Sequence, residues 1–222
     1  MLHSVDQTDA NGNPFIAKDQ QQNFTVASNG WVVYKNSTAN AKQPYVTPRQ
    51  YSFGDPNPKF NMSFINDLSF KGYLNFYMQW DWVNGSHLYN QTKEWMYRDG
   101  INGDYDKALT IEDQTGAWTA FYRGVYAQVS RNGTKNYFYE NASFLRLRNI
   151  SIAFDFAKFI HIPGFQRLQL VLAGRNLVTV TDYTGYDPEV SSGANNSAFD
   201  RGVDHNTIPN LKSYQVGLNL GF

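Results

Sequence analysis

Four histidines, His3, His87, His161 and His205, are scattered along 222 residues with no partner ligand at helical spacing and no cysteine in the chain. Zinc needs three or four N or S ligands held close together, so no metal site is expected from them. No Gly-rich phosphate loop and no G-x-S-x-G turn occurs, which removes the usual footholds for nucleotide and acyl-transfer chemistry. Carboxylates come nearer to a pattern. Asp99-Gly-Ile-Asn-Gly-Asp-Tyr-Asp106 offers oxygens at short spacing, but it lacks the EF-hand order and its closing bidentate Glu, and it reads better as a solvated turn than as a calcium loop. Asp104 with Asp106, or Asp187 with Glu189, could imitate a glycosidase pair; near neighbours on one loop are poor candidates for opposed acid and nucleophile. No cofactor and no enzymatic role is expected. What remains is recognition by stacking. Trp95, Tyr97, Trp118, Tyr122 and Tyr186 lie in polar, turn-rich stretches, where their rings could cover a sugar or a peptide, with Arg123 and Asp187 as polar partners. The competing reading has the same rings packing the loops against one another or against a partner protein.

Composition narrows the class of molecule that could hold such residues. Aromatic residues make up 16% of the chain, with 15 Tyr, 16 Phe and 5 Trp, an excess that suits a membrane barrel with aromatic girdles or a sugar-binding sandwich. Nineteen basic residues balance nineteen acidic ones, so nucleic acid is not expected as a partner. No apolar run approaches the roughly 18 residues of a membrane-spanning helix. The opening Met1 to Asp9 has neither a basic nor an apolar region of a signal peptide, so an outer-membrane destination would require an export signal on sequence outside this stretch.

The elements that must position the candidate residues are strands. Ser213 to Phe222 alternates cleanly: Tyr214, Val216, Leu218, Leu220 and Phe222 on one side, Gln215, Gly217, Asn219 and Gly221 on the other. A soluble sheet buries such an apolar side against a second layer, whereas a transmembrane barrel turns it to lipid and its polar side to a wet lumen. Residues 1–59 are polar and turn-rich, a surface loop region with one hairpin within Phe24 to Tyr34. Residues 60–222 carry the other strands. Phe60 to Phe70 and Leu74 to Trp82 both set their apolar residues at even positions around a turn of about two residues at Lys71-Gly72. Each arm of about 11 residues, tilted by roughly 45°, spans about 25 Å of hydrocarbon. In Ser143 to Phe156, Leu145 and Leu147 are odd while Ile150, Ile152, Phe154 and Phe156 are even. A β-bulge near Asn149 would return all six to one side and place Arg146, Arg148, Ser151 and Asp155 on the other. Leu168 to Val180 is a further, less regular strand. The two arginines are then expected on the wet face, lining a lumen or pairing with carboxylates of neighbouring strands.

Short turns at 71–72 and 157–165 alternate with long loops at 83–141 and 181–212, the segregation of an outer-membrane barrel. Five strands that begin on the outer side are expected to be part of a larger barrel, because a complete one has an even number.

Six motifs point further. Gly54-Asp-Pro-Asn-Pro-Lys-Phe60, Phe76-Tyr-Met-Gln-Trp-Asp-Trp82 with Tyr89-Asn90 beyond it, Asn141-Ala-Ser-Phe-Leu-Arg-Leu-Arg-Asn-Ile150, Gly174-Arg-Asn-Leu177, Tyr183-Thr-Gly-Tyr-Asp-Pro-Glu189 and Gly217-Leu-Asn-Leu-Gly-Phe222 resemble, in order, the C-terminal region of SusC/RagA-type TonB-linked outer-membrane proteins. The resemblance implies an all-β fold: an antiparallel transmembrane β-barrel segment of about five C-terminal strands with long extracellular loops. It implies a cell outer membrane location in a Bacteroidetes-like bacterium and import of an oligosaccharide or peptide ligand. It also implies a SusD-like surface lipoprotein as partner, and a TonB complex engaged through an N-terminal plug and TonB box that this sequence lacks. Lacking them, the stretch is not expected to transport by itself. Phe64, Phe76, Met78, Ile152, Phe154, Val216, Leu218 and Leu220 are expected to face lipid. The alternative is a secreted or periplasmic all-β carbohydrate-binding module, which would need a second apolar layer over the same positions.

Overall fold

The computed structural model describes residues 2–47, 54–132, 136–190 and 201–222. In chain order the elements are β1 (Phe24–Val26), β2 (Val32–Tyr34), β3 (Phe60–Phe70), β4 (Leu74–Asn84), β5 (His87–Asn90), α1 (Gln91–Arg98), β6 (Ala108–Ile111), β7 (Gln114–Ala117), α2 (Thr119–Asn132), β8 (Tyr139–Asn141), β9 (Phe144–Asp155), α3 (Phe156–Phe159), β10 (Arg167–Thr181), β11 (Val203–Asp204) and β12 (Ser213–Gly221). They divide into two compact units: Met1–Phe53 with Tyr89–Glu140, and Gly54–Leu88 with Asn141–Phe222. The division does not fall at residue 59, because the segment after β5 forms its contacts with the chain's first fifty residues.

The second unit is built on an antiparallel five-stranded sheet in the order β12-β10-β9-β4-β3, a simple meander in sequence. Its register explains the alternation. Phe64 lies opposite Trp80, Leu68 opposite Phe76, Phe76 opposite Ile152, Leu172 opposite Ile152 on one side and Val216 on the other, and Leu170 opposite Leu218. Residues directly opposite in an antiparallel pair share a face, so the apolar sets of all five strands merge into one surface. Among the described residues no second layer covers it, and only rings near the short turns pack on Phe154: Val216 is 76% exposed and Phe64 and Leu218 are 60% exposed. The sheet is open, with β3 and β12 as its edges.

Two irregularities keep that surface continuous. The β3–β4 turn has three residues, Lys71, Gly72 and Tyr73, since Phe70 pairs with Leu74. This corrects the two-residue turn. An odd loop is required for even positions of both arms to face one way, and a two-residue loop would set even against odd. Lys71 (φ 47°) and Gly72 (φ 73°) take left-handed conformations, and Tyr73 N–H donates to the Phe70 carbonyl at 3.2 Å. The second irregularity is the bulge in β9. Gln79 pairs with Asn149 and Trp80 with Leu147, leaving Arg148 as the extra residue, so Leu145, Leu147, Ile150, Ile152 and Phe154 do share one face. Phe156 lies beyond the strand, which ends at Asp155, and opens α3, with its ring packed 4.7 Å from that of Phe154.

Opposite the same point, β10 inserts a residue of its own between Arg175 and Val178. Asn176 takes φ 54° there. The side chain of Leu177 folds over Gly174, where an added Cβ would lie 2.6 Å from Leu177 Cδ1. The Gly174-Arg-Asn-Leu177 motif is therefore a bulge: glycine makes room for the leucine, and asparagine tolerates the left-handed backbone.

The first unit is smaller in strand and carries helices α1 and α2 in the long segment between β4 and β9. Strands β1 and β2 form the expected hairpin, with Phe24 opposite Tyr34. Leu2, Ile16, Phe24 and Val32 are buried together, with Tyr34 and Tyr45 packed around them. Helix α1 is started by Asn90, whose side chain accepts from the Lys93 N–H at 2.8 Å, a favoured N-cap arrangement. Helix α2 buries Phe121, Tyr122 and Val125, and Gly124 lets Pro44 approach to 2.9 Å of where a Cβ would stand. The stretch 83–141 is thus not one long irregular loop.

Candidate functional site

The polar face of the five-stranded sheet carries hydrogen-bonded side chains, most of them joined in one network around Arg146 and Arg148. Ser63 Oγ and Gln79 Nε2 each donate to Asp81 Oδ1 at 2.9 Å, Asn149 Nδ2 donates to Gln79 Oε1 at 3.0 Å, and Asn219 Nδ2 donates to Gln169 Oε1 at 3.0 Å. Arg146 and Arg148 stand at its centre, where the bulge directs them. Arg146 is 2% exposed; its Nε donates to Thr179 Oγ1 at 3.0 Å, its Nη1 to Glu189 Oε2 at 2.7 Å and its Nη2 to Asp187 Oδ1. Arg148 Nε donates to Asp81 Oδ2 at 2.7 Å and its Nη2 to Glu189 Oε1 at 2.7 Å. Both arginines therefore pair with carboxylates, one from the adjacent strand and two from the loop after β10.

That loop is held at both ends. Tyr183 packs with Leu88 and Ala142, and its hydroxyl donates to Asp204 Oδ2 at 2.7 Å. Gly185 lies against the Tyr183 ring so closely that a Cβ would overlap it. Asp187 is 3% exposed and accepts the backbone N–H groups of Glu189 and Asn210, each at 2.9 Å. Burial alone raises the Asp187 pKa, but the Arg146 guanidinium and the two N–H donors outweigh it and hold the carboxyl below the usual value. In this geometry the Tyr183-to-Glu189 motif supplies the anions that the Phe144-to-Ile150 motif needs. Asn176 of the β10 bulge accepts weakly from Arg148, and Asp81 comes from the Phe76-to-Trp82 motif. Four sequence motifs meet in one network.

Beside it lies a pocket of about 230 Å³ lined by Arg146, Asn176, Thr179, Tyr186, Asn210 and Lys212, among others. Arg146 and Asp187 are committed to each other there, so Asp187 is a structural partner and not a free ligand contact. Tyr186, at 74% exposure, keeps its ring open at the pocket.

The other five candidate ligand residues belong to the first unit. Tyr97 is 1% exposed and Tyr122 is buried, so neither ring can stack on a ligand; this corrects the expectation for both. Tyr97 Oη donates to Asp104 Oδ2 at 2.5 Å and contacts Tyr137 Oη at 2.7 Å. Tyr122 Oη donates to the Lys107 carbonyl at 3.2 Å. Burial first, then Tyr137 and Asp104, raise the Tyr97 pKa far above that of a free phenol. Trp118 donates its Nε1–H to the Leu109 carbonyl at 2.6 Å and carries the Lys42 ammonium 4.0 Å from its ring centroid. Trp95 is half-buried under the Arg98 guanidinium, 5.6 Å from its ring, while Arg123 is exposed. Asp104 is engaged by Lys93 and Lys107, and among the described residues no cluster of His, Cys, Asp or Glu is arranged to hold a metal. The helical spacing of Trp118, Phe121, Tyr122 and Val125 was the signal that could have marked these rings as core.

An uncovered apolar face backed by a charged, hydrogen-bonded face defines the wall of a strand-spanning membrane protein; no described helix is long and apolar enough to cross a membrane. Comparison with known proteins agrees. No protein-family model matches the chain. It is 30% identical over 178 residues to TonB-dependent receptor P3 of Formosa agariphila, covering 76% of this chain and 17% of that protein. It is 24% identical over 218 residues to TonB-dependent receptor SusC of Bacteroides thetaiotaomicron, covering 96% of this chain and 18% of that protein. A chain of the RagAB peptide importer in its closed-closed state superposes with a TM-score of 0.51 at 20% identity, covering 97% of this chain and 20% of that one. The chain is homologous to TonB-dependent receptors of the SusC kind and spans under a fifth of the length of these two relatives. Its antiparallel sheet has the fold of such a barrel wall.

Proposed function

We propose that this chain forms part of the barrel wall of an outer-membrane TonB-dependent importer of oligosaccharides or peptides. It works with a SusD-like surface lipoprotein over its outer side and with TonB through a plug carried elsewhere in the receptor. The observation that carries the reading is the sheet's apolar face, on which Phe64, Ile152, Val216, Leu218 and Leu220 stay exposed while the ion pairs of Arg146 and Arg148 lie on the other face. Bilayer hydrocarbon is the natural solvent for such a surface. A soluble carbohydrate-binding module needs a second layer there, and the described residues of this unit supply none. An open five-stranded sheet encloses no lumen, so transport requires further strands. We take Tyr186, Arg123, Trp95 and Trp118, whose rings or guanidinium are at least partly exposed, as the candidates to meet cargo or the lipoprotein.

The test is membrane insertion. Leu218→Lys puts a charge on the apolar face and should cost about 2–4 kcal/mol near the midplane, while Asn219→Lys on the polar face should be tolerated. Equal insertion yields for the two variants, or a chain that stays in the supernatant without detergent, would overturn the reading.

A further inference from the structure

The end of the sheet where β3 turns into β4 and β9 into β10 carries positive charge that the polar network does not use. Lys71 stands in the three-residue turn, Lys158 in α3 and Arg167 at the start of β10, and all three side chains are exposed. None of them forms an ion pair among the described residues; Arg167 donates to Gln169 Oε1 at 2.6 Å. Two carboxylates lie near this end. Asp155 is 2% exposed and accepts the Leu168 N–H, while Asp67 sits opposite Tyr77 on the polar side of the sheet.

Next to these cations the apolar face ends in rings. Tyr73 and Phe159 are 5.1 Å apart, Phe154 and Phe156 4.7 Å, and Phe165 and Phe222 5.1 Å. Phe70, Phe159, Ile160 and Phe222 are exposed, and Lys71 Nζ lies 5.3 Å from the Phe70 ring centroid. The ammonium thus stands beside an exposed ring at the edge of the apolar surface. That is the disposition of a side chain that reaches from acyl chains to headgroup level.

We propose that Lys71, Lys158 and Arg167, with the rings beneath them, form a collar that binds anionic phospholipid headgroups in the leaflet on the side of the short turns. The inference rests on the reading that the apolar face meets lipid. Three unpaired cations on an aromatic rim complement a surface bearing negative phosphates. A zwitterionic surface offers the same hydrocarbon boundary without the net attraction.

The full chain, refolded in detergent and transferred to vesicles, tests the collar by its partitioning into phosphatidylcholine alone and into phosphatidylcholine doped with phosphatidylglycerol. Each basic side chain near an anionic surface adds about fivefold, so the doped vesicles should be preferred by about a hundredfold, and salt should erode the preference. K71Q/K158Q/R167Q should lose the preference while still partitioning into neutral vesicles, and K59Q/R201Q/K212Q, an equal charge change at residues of the same unit outside the collar, should keep it. Strong partitioning into both vesicle types without preference, or a preference that survives in the collar variant, overturns the collar and leaves the lipid-facing reading standing. Failure to partition into either vesicle overturns both.

Discussion

Arg146→Met is the most informative single change in the polar network. The substitution keeps a long apolar stem and removes a guanidinium that is 2% exposed and bonded to Asp187, Glu189 and Thr179. Breaking a buried ion pair from one side costs about 3–5 kcal/mol, because the other charge is left without its partner. Asp187 retains two backbone N–H donors, which places the expected cost near the lower bound, about 3 kcal/mol. At about 1.4 kcal/mol per factor of ten, opening of the loop after β10 should become more frequent by about a hundredfold. Hydrogen exchange reports it directly, since the amides of Glu189 and Asn210 both donate to Asp187. Their protection should fall in Arg146→Met, because the carboxylate that holds both amides loses its buried counter-charge. Arg148→Met should cost under about 1 kcal/mol, because its partners remain partly solvated and exposed pairs contribute little. Equal losses for Arg146 and Arg148, or unchanged protection of those two amides in Arg146→Met, would refute the account of the loop as held by the buried pair.

Gly174→Ala should destabilise the sheet by about 1–3 kcal/mol, because the new Cβ meets Leu177 Cδ1 at 2.6 Å. Melting in detergent should show Gly174→Ala with Leu177→Ala less destabilised than the sum of the two, since the collision is then removed. In the first unit, burial raises the Asp104 pKa, but Lys107, Tyr97 and Lys93 outweigh it and leave the carboxyl depressed. A depressed folded value means the stabilisation is present above the unfolded pKa of about 3.9 and is lost as pH falls through the folded one. Thermal melts across the acid range should show that loss in the wild-type chain, and Asp104→Asn should be less stable near neutrality with a flatter acid limb.

What the amino-acid order determined by itself was the strand set and its faces. Alternation with period two is a local property, so Ser213 to Phe222, Phe60 to Phe70 and Leu74 to Trp82 announced their apolar sides, and the slip between Leu147 and Ile150 announced a bulge before any partner strand was known. Helix α2 was equally local, in the spacing of Trp118, Phe121, Tyr122 and Val125, though aromatics set among glycine and asparagine disguised it as loop. Tertiary structure alone decided where the polar side chains ended. Asp187 reaches Arg146 across 41 positions and Glu189 does so across 43, and nothing in the residues between dictates that the loop folds back onto the sheet. The same holds for burial. Tyr97 and Tyr186 are the same residue type in similar surroundings of sequence, yet one is sealed against Asp104 and Tyr137 and the other stands in solvent. Periodicity is set by backbone geometry within a few residues, whereas pairing and burial depend on which distant segments return to the same place.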